Sequence, residues 1–362
     1  MFSVFTQINT GAVFSSSETA LAFAESNIEE GSNAIPCYAN GKLNVSSRLY
    51  ELLFKKSKNT GRLYLIPGGD VFGINIKAEH VTVNSSKEGS PLKKGDKILT
   101  VNGVKIKSAD DVTNALNTSG GCTAKIEIIR GGEKMTLTAI PRYEEGSYKL
   151  GVTLRSLASG IGTVTFVDPD TGVFGGLGHG VCEFESSELV EMESGEATGV
   201  ILGGVVKGEV GKPGELSGIL NKKHIGCIER NNECGVFGVL ENQSYCNAPP
   251  IPVAKKDEVK VGNAEIISTI KNGKRSVYKI EITEITDSQS ATKSFKIKVT
   301  DPMLIALSGG IVRGMSGSPI IQDGKLVGAV THVMVADPTE GYGIFIENML
   351  NAANNQSQQK AA

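Results

Sequence analysis

Near the C-terminal end of this 362-residue chain runs Gly309-Gly310-Ile311-Val312-Arg313-Gly314-Met315-Ser316-Gly317-Ser318-Pro319-Ile320-Ile321. A serine hydroxyl set among glycines is suited to attack on a carbonyl carbon. The glycines permit a tight turn and leave bare N–H groups able to approach an oxygen on which charge develops. A hydroxyl by itself is a weak nucleophile. It needs a base within hydrogen-bond reach, most often an imidazole that a carboxylate orients. The chain holds only four histidines. His179 follows a strand-turn-strand signal over 164–172 and sits in Gly175-Gly176-Leu177-Gly178-His179-Gly180. His80 lies far upstream, His224 in a charged loop, and His332 on the apolar strand that follows the serine. Position and small neighbours make His179 the candidate base. Asp287 and Asp301 both follow strands between His179 and Ser316, and spacing does not separate them as the orienting acid.

The elements that must carry these groups are mostly strands. Between about 148 and 350 short apolar runs recur with glycine turns: 163–167, 199–208, 235–240, 259–269, 276–285 and 294–299. That pattern predicts a barrel or sandwich. Lys325 to His332 is expected as a strand along which a substrate could pair. Residues 66–142 form a separate unit. A glycine turn at Gly68-Gly69 leads into the alternating stretch Val71-Phe72-Gly73-Ile74-Asn75-Ile76. Further on, Gly95-Asp96 marks a turn, Ile98 to Val101 a strand, and Asn102-Gly103 a hairpin turn. Ser108 is placed to cap a helix over 109–116, and a β-hairpin over 122–140 closes the unit. Residues 1–65 form an N-terminal module of uncertain shape, and 351–362 a polar, alanine-rich flexible tail.

Composition narrows the function classes. A net charge of −2 with acids and bases interleaved gives no reason to expect nucleic acid or an anionic membrane surface as partner. No run approaches the roughly 18 apolar residues of a membrane span, and the first residues lack a charged-then-apolar layout. On sequence alone the chain is expected to be soluble, with no visible signal or anchor. The six cysteines form no CxxC pair. His224, Cys227, Cys234 and Cys246 do not have the spacing of a zinc site, so no metal and no cofactor are expected, and a Cys227–Cys234 bridge is one option outside the cytoplasm.

Three resemblances sharpen this picture. Gly95-Asp96-Lys97-Ile98-Leu99-Thr100-Val101-Asn102-Gly103 resembles the marker stretch of PDZ domains. PDZ domains capture an extended peptide as an added strand, which implies a groove between Phe72-Gly73-Ile74 and the helix over 109–116. Gly314-Met315-Ser316-Gly317-Ser318-Pro319 resembles the Gly-x-Ser-Gly-Gly-Pro signature of chymotrypsin-fold peptidases, with Ser318 in place of a glycine. That alignment makes Ser316 the nucleophile and the N–H groups of Gly314 and Ser316 the oxyanion donors. Finally, several motifs in order resemble the SpoIVB (stage IV sporulation protein B) peptidase family. They are Leu65 to Gly69, Ala158 to Phe166, Gly176 to His179, Gly211 to Glu215, Gly309 to Ile321, Gly328 to Val333, and Asp337 to Gly343.

The family resemblance implies His179, Asp301 and Ser316 as the catalytic set, Asp301 standing in the matching Thr-Asp-Pro stretch. The implied fold is mainly β, a PDZ domain followed by a chymotrypsin-like double β-barrel. The implied activity is that of a sporulation signalling endopeptidase that cuts itself and regulatory subunits of a membrane complex, so that a sigma-factor precursor is processed. Its implied place is extracytoplasmic, between the two forespore membranes. A catalytically silent PDZ scaffold is one alternative. An HtrA-like quality-control protease is another, although there the PDZ domain follows the protease domain.

Overall fold

The structure, a computed structural model, describes residues 61–183, 187–241, 248–270, 273–286 and 290–354. The N-terminal module expected over 1–65 falls almost wholly outside these residues, as do Asp287, Cys37 and Cys246. Two compact units emerge. The smaller comprises Ile76–Ala158 with Cys182–Ser194, and the larger takes the rest of the described chain.

In chain order the elements begin with β1 (Tyr64–Pro67), β2 (Val71–Ser86), β3 (Lys97–Val101) and β4 (Val104–Lys105). Helix α1 (Ala109–Thr118) follows, then β5 (Ala124–Arg130), β6 (Glu133–Ala139), β7 (Arg142–Glu144) and β8 (Ser147–Lys149). Next come β9 (Val152–Val167), β10 (Val173–Gly176), β11 (Met192–Val206), β12 (Glu215–Asn232), β13 (Gly235–Leu240) and β14 (Ile251–Pro252). Then follow β15 (Gly262–Ser268), β16 (Ser276–Ile285), β17 (Phe295–Val299) and helix α2 (Pro302–Ser308). The last are β18 (Pro319–Gln322), β19 (Lys325–Met334), β20 (Asp337–Phe345) and helix α3 (Ile346–Asn354). Because α3 continues through 351–354 and buries Ala353, the tail expected from 351 begins later than the sequence suggested.

In the smaller unit β2, β3, β5 and β6 are neighbours in order, with β4 folded back on β3. Asn102 and Gly103 take the positive φ values (51° and 80°) that a tight hairpin between β3 and β4 requires. Ser108 caps α1 in a reciprocal capping box with Asp111. The helix presses Val112, Ala115 and Leu116 onto Ile98, Val101, Ile126 and Ile128. Asp96 is only 1% exposed, and its carboxylate receives the Lys93 N–H at 2.7 Å and two Arg130 guanidinium donors at 2.6 Å. Such a paired geometry offsets the cost of burying a charge.

The larger unit is built from two rings of strands. In the first, β9, β10, β13, β12, β11 and β2 follow one another, and a β9–β2 pairing returns the ring to its start. The start of β2 lies in this unit: just before the strand Asp70 O accepts the Val164 N–H, and within it a Cβ on Gly73 would strike Leu220 and Thr198. The second ring is the closed barrel β15-β16-β17-β20-β19-β18. Closure leaves the second ring without a free sheet edge. The interiors are apolar, with Phe166, Phe174 and Phe237 fully buried in the first and Tyr278, Ile280 and Phe295 in the second. Burying one such aromatic is worth about 2–3 kcal/mol. The molecule is therefore mainly β, and the larger unit is the expected chymotrypsin-like double barrel.

Candidate active site

The nucleophile loop is fixed at both ends. Gly309, with φ of 79°, ends α2 and starts the loop, and Pro319 opens β18 beyond it. Between them most backbone groups are spoken for. The N–H groups of Arg313, Met315, Gly317 and Ser318 donate to the carbonyls of Gly214, Val312, Val330 and Met315 at 2.8–3.1 Å. Strand β9 pins the carbonyl side. Thr163 gives its hydroxyl to Gly314 O at 2.8 Å and its N–H to Ser316 O at 3.0 Å, and the Thr165 hydroxyl reaches Gly317 O at 2.8 Å. Among the described residues, no acceptor engages the N–H groups of Gly314 and Ser316. These are the two donors that an oxyanion would need. Thr163 and Thr165 were not singled out from the sequence. They lie within the Ala158 to Phe166 motif, but nothing in it shows where their hydroxyls go.

Gly317 shows why a side chain is excluded beside the serine. Its φ is 94°, and a Cβ there would lie 2.0 Å from Thr163 O and 2.5 Å from Leu177 N. The serine loop thus seats directly on the segment that leads to His179. Leu177 itself has φ of 67°, in the left-handed region that a branched side chain avoids. This strain falls between the end of β10 and the histidine, where such outliers often mark functional sites.

The His179 ring packs at 5.3 Å from that of His332, with the planes tilted by 38°. Ser316 donates its hydroxyl to the carbonyl of Thr331, the residue before His332, at 2.8 Å. The His179 Nδ1 lies 2.9 Å from Gly180 O. A carbonyl can only accept, so Nδ1 carries the proton and Nε2 keeps its lone pair. Burial pushes the His179 pKa below its ordinary 6.5, with the Gly180 bond opposing. Burial also takes His332 to about 3, the proximity of His179 and then Lys293 adding to it. Among the described residues the buried His332 Nδ1 has no hydrogen-bond partner. Both rings are therefore neutral at pH 7.

The other candidates lie elsewhere. Ser318 is fully buried, and among the described residues its Oγ has no hydrogen-bond partner. His80 neighbours Glu191 at 3.5 Å, and His224 is clamped between Glu196 (2.7 Å) and Glu241 (3.1 Å). Cys234 is a free buried thiol, so the Cys227–Cys234 bridge is not formed. Cys227 is disulfide-bonded, and its partner lies outside the described residues. Asp301 is the N-cap of α2, its carboxylate accepting from the N–H groups of Met303, Leu304 and Lys279. Phe72, Gly73 and Ile74, expected to edge the PDZ groove, belong instead to the larger unit. Phe72 packs edge-on against Phe174 at 5.7 Å, and both it and Ile74 are fully buried. The reason is that β2 is one strand of sixteen residues whose start and end serve different units.

Residues 146–350, more than half of the 362, match the family described as SpoIVB peptidase S55, and residues 54–140 match the PDZ domain. A Lactococcus lactis subsp. lactis protein described as a zinc metalloprotease, LL2128, is 34% identical over 97 residues, which is 25% of this chain and 21% of that protein. The chain thus spans about a fifth of that curated relative's length. Among solved structures, the PDZ domain of the SdrC-like protein from Listeria monocytogenes is 24% identical, covering 22% of this chain and 90% of that one at a TM-score of 0.20. The Rv3671c protease of M. tuberculosis in its active form is 14% identical, covering 57% and 78% at a TM-score of 0.34. The HtrA-type protease AlgW with a decapeptide is 9% identical, covering 80% and 64% at 0.34. The family match runs through both barrels and takes in His179, Asp301 and Ser316, and the chain belongs to the SpoIVB peptidase S55 family with a PDZ domain ahead of the peptidase part.

Proposed function

We propose that this protein is a serine endopeptidase in which Ser316 is the nucleophile and His179 the general base. One observation carries the reading: among the described residues no acceptor engages the N–H groups of Gly314 and Ser316, on either side of Met315, while those of Arg313, Met315, Gly317 and Ser318 are bonded. For attack, the Ser316 hydroxyl turns from Thr331 O to the bare Nε2 of His179. Its oxygen bonds to the substrate carbonyl carbon as its proton passes to Nε2. The carbonyl oxygen takes the electron pair and is received by the two free amides, each worth about 3 kcal/mol in a comparable enzyme. His179 then gives the proton to the departing amine nitrogen, the C–N bond breaks, and water repeats the sequence to release the acyl group.

The family relation supports a signalling role, with self-cleavage and cleavage of regulatory membrane-complex subunits leading to sigma-factor precursor processing. The PDZ domain fits a peptide or protein partner. The disulfide at Cys227 fits an oxidising, extracytoplasmic compartment such as the forespore intermembrane space. The test is labelling by a fluorophosphonate, which reacts with an activated serine. Wild-type protein is expected to gain the probe's mass on the peptide containing Ser316 and to cut itself; Ser316→Ala should do neither. A wild type that stays unlabelled and uncut while binding C-terminal peptides would make the chain a PDZ scaffold instead.

A further inference from the structure

The nucleophile loop shows little of itself to solvent. From Ile311 to Ile320 every residue is buried except Arg313 and Ser316, which are half-buried. Between those two stand Gly314, whose N–H is an unengaged donor, and the fully buried Met315. The main chain of Arg313 is fixed. Its N–H donates to Gly214 O at 2.9 Å, and its carbonyl accepts from Leu216 N at 2.8 Å, in a parallel bridge with Glu215. Its side chain is not. Nε is buried without a partner, and among the described residues no hydrogen bond or ion pair engages the guanidinium. Other arginines of the larger unit are satisfied: Arg62 pairs with Glu258 at 2.8 Å, and Arg275 donates to Pro67 O at 2.8 Å. A cation drawn part-way out of water with no acceptor costs free energy, which an incoming acceptor recovers. The planar fork of a guanidinium matches a carboxylate in bidentate fashion.

We propose that Arg313 determines specificity: its guanidinium receives the carboxylate of an aspartate or glutamate beside the scissile bond, so that this peptidase cuts at acidic sites. The proposal rests on the reading of Ser316 as the nucleophile. The Gly314 N–H that meets the scissile carbonyl oxygen is one peptide unit from Arg313, which places an anchored cation within reach of the residues flanking the bond to be cut. A substrate carboxylate supplies the acceptor that the fold withholds. The amide of glutamine or asparagine carries no charge and brings donors of its own, so it satisfies the fork poorly.

The experiment digests internally quenched peptides, randomised on both sides of one bond, with the full chain and identifies the cut sequences by mass spectrometry. Cut sequences are then made again in pairs, each acid beside the bond replaced by its amide, and kcat/KM is measured for both members. Wild type is expected to select aspartate or glutamate beside the cut and to cleave the acid peptide about 10- to 100-fold faster than the amide, the worth of one charge-assisted pair. Arg313→Gln should bring that ratio below about threefold. Arg313→Lys keeps the charge without the fork and should leave a reduced preference. Distortion of the loop slows both members of a pair and leaves their ratio alone, so the ratio reads recognition. A wild type that cuts without acid preference, or a ratio that survives in Arg313→Gln, overturns the proposal. Should Arg313→Gln fail to fold, the wild-type ratio and its decrease in Arg313→Lys decide the matter, an undiminished ratio there being the contrary result. A wild type that cuts no peptide and takes no fluorophosphonate would defeat the reading of Ser316 itself, whereas one that labels at Ser316 and cuts at neutral sites defeats only the role of Arg313.

Discussion

His179 and His332 are both pushed below the ordinary imidazole value of 6.5, first because burial penalises the charged ring. The consequence for activity follows from which form works. A general base acts unprotonated, so a lowered pKa keeps it in service as the pH falls. The midpoint of the acid limb for phosphonylation of Ser316 is expected to lie below 6.5. His332→Ala removes the ring that covers His179 and should move the midpoint up towards about 6.5, the value of a solvated imidazole. A wild-type midpoint at or above 6.5, or no movement in the variant, would contradict this account. The glycine runs made Ser316 and His179 legible in the sequence, because glycine is needed where backbones approach closely. Thr163 was not legible: its hydroxyl serves a carbonyl 151 residues downstream, and no local pattern encodes that partner. Phe72, Gly73 and Ile74 misled for a related reason. Their alternation announces a strand but does not say which unit will bury it.

At the scale of elements, the site depends on β9 holding the carbonyl side of the serine loop. Thr163→Val removes one hydroxyl bond at little change in volume. It should cost about 1 kcal/mol of stability, the worth of a typical hydrogen bond, and slow Ser316 labelling while the fold persists. Gly317→Ala is more severe, since its Cβ would meet Thr163 O at 2.0 Å. The loop must then withdraw from the Leu177–His179 segment, and a displacement of about 1 Å can cost on the order of 10²-fold in rate. Near-normal labelling in Gly317→Ala, with circular dichroism unchanged, would show that this close seating is not required. The strands themselves were largely legible, because alternation and glycine turns are local signals: the expected runs at 235–240 and 276–285 coincide with β13 and β16. Ring closure was not. It depends on β2 joining strands that lie far along the chain, and the sequence of β2 gives no sign of its second role.

For the whole molecule, the cysteines connect the fold to its proposed compartment. Six cysteines without a spacing pattern could not reveal their pairing, which depends on approach in space. In the structure Cys122 is exposed and free, Cys234 buried and free, and Cys227 disulfide-bonded. Burial, with Glu233 adding, pushes the Cys234 thiol up to about 11. Only the thiolate reacts, so at pH 8 Cys234 should be slower than an ordinary thiol by about 10²-fold. Native protein treated with iodoacetamide and mapped by mass spectrometry is therefore expected to carry the label at Cys122, little at Cys234, and none at Cys227 until a reductant is added. Cys227 lies on β12 opposite Val239 of β13, and β13 pairs with β10, the strand that leads to Leu177 and His179. Reduction should thus lower the melting temperature, a native disulfide being worth about 2–4 kcal/mol, and slow Ser316 labelling with it. Alkylation of Cys227 without reductant would count against the disulfide and against the oxidising compartment proposed above.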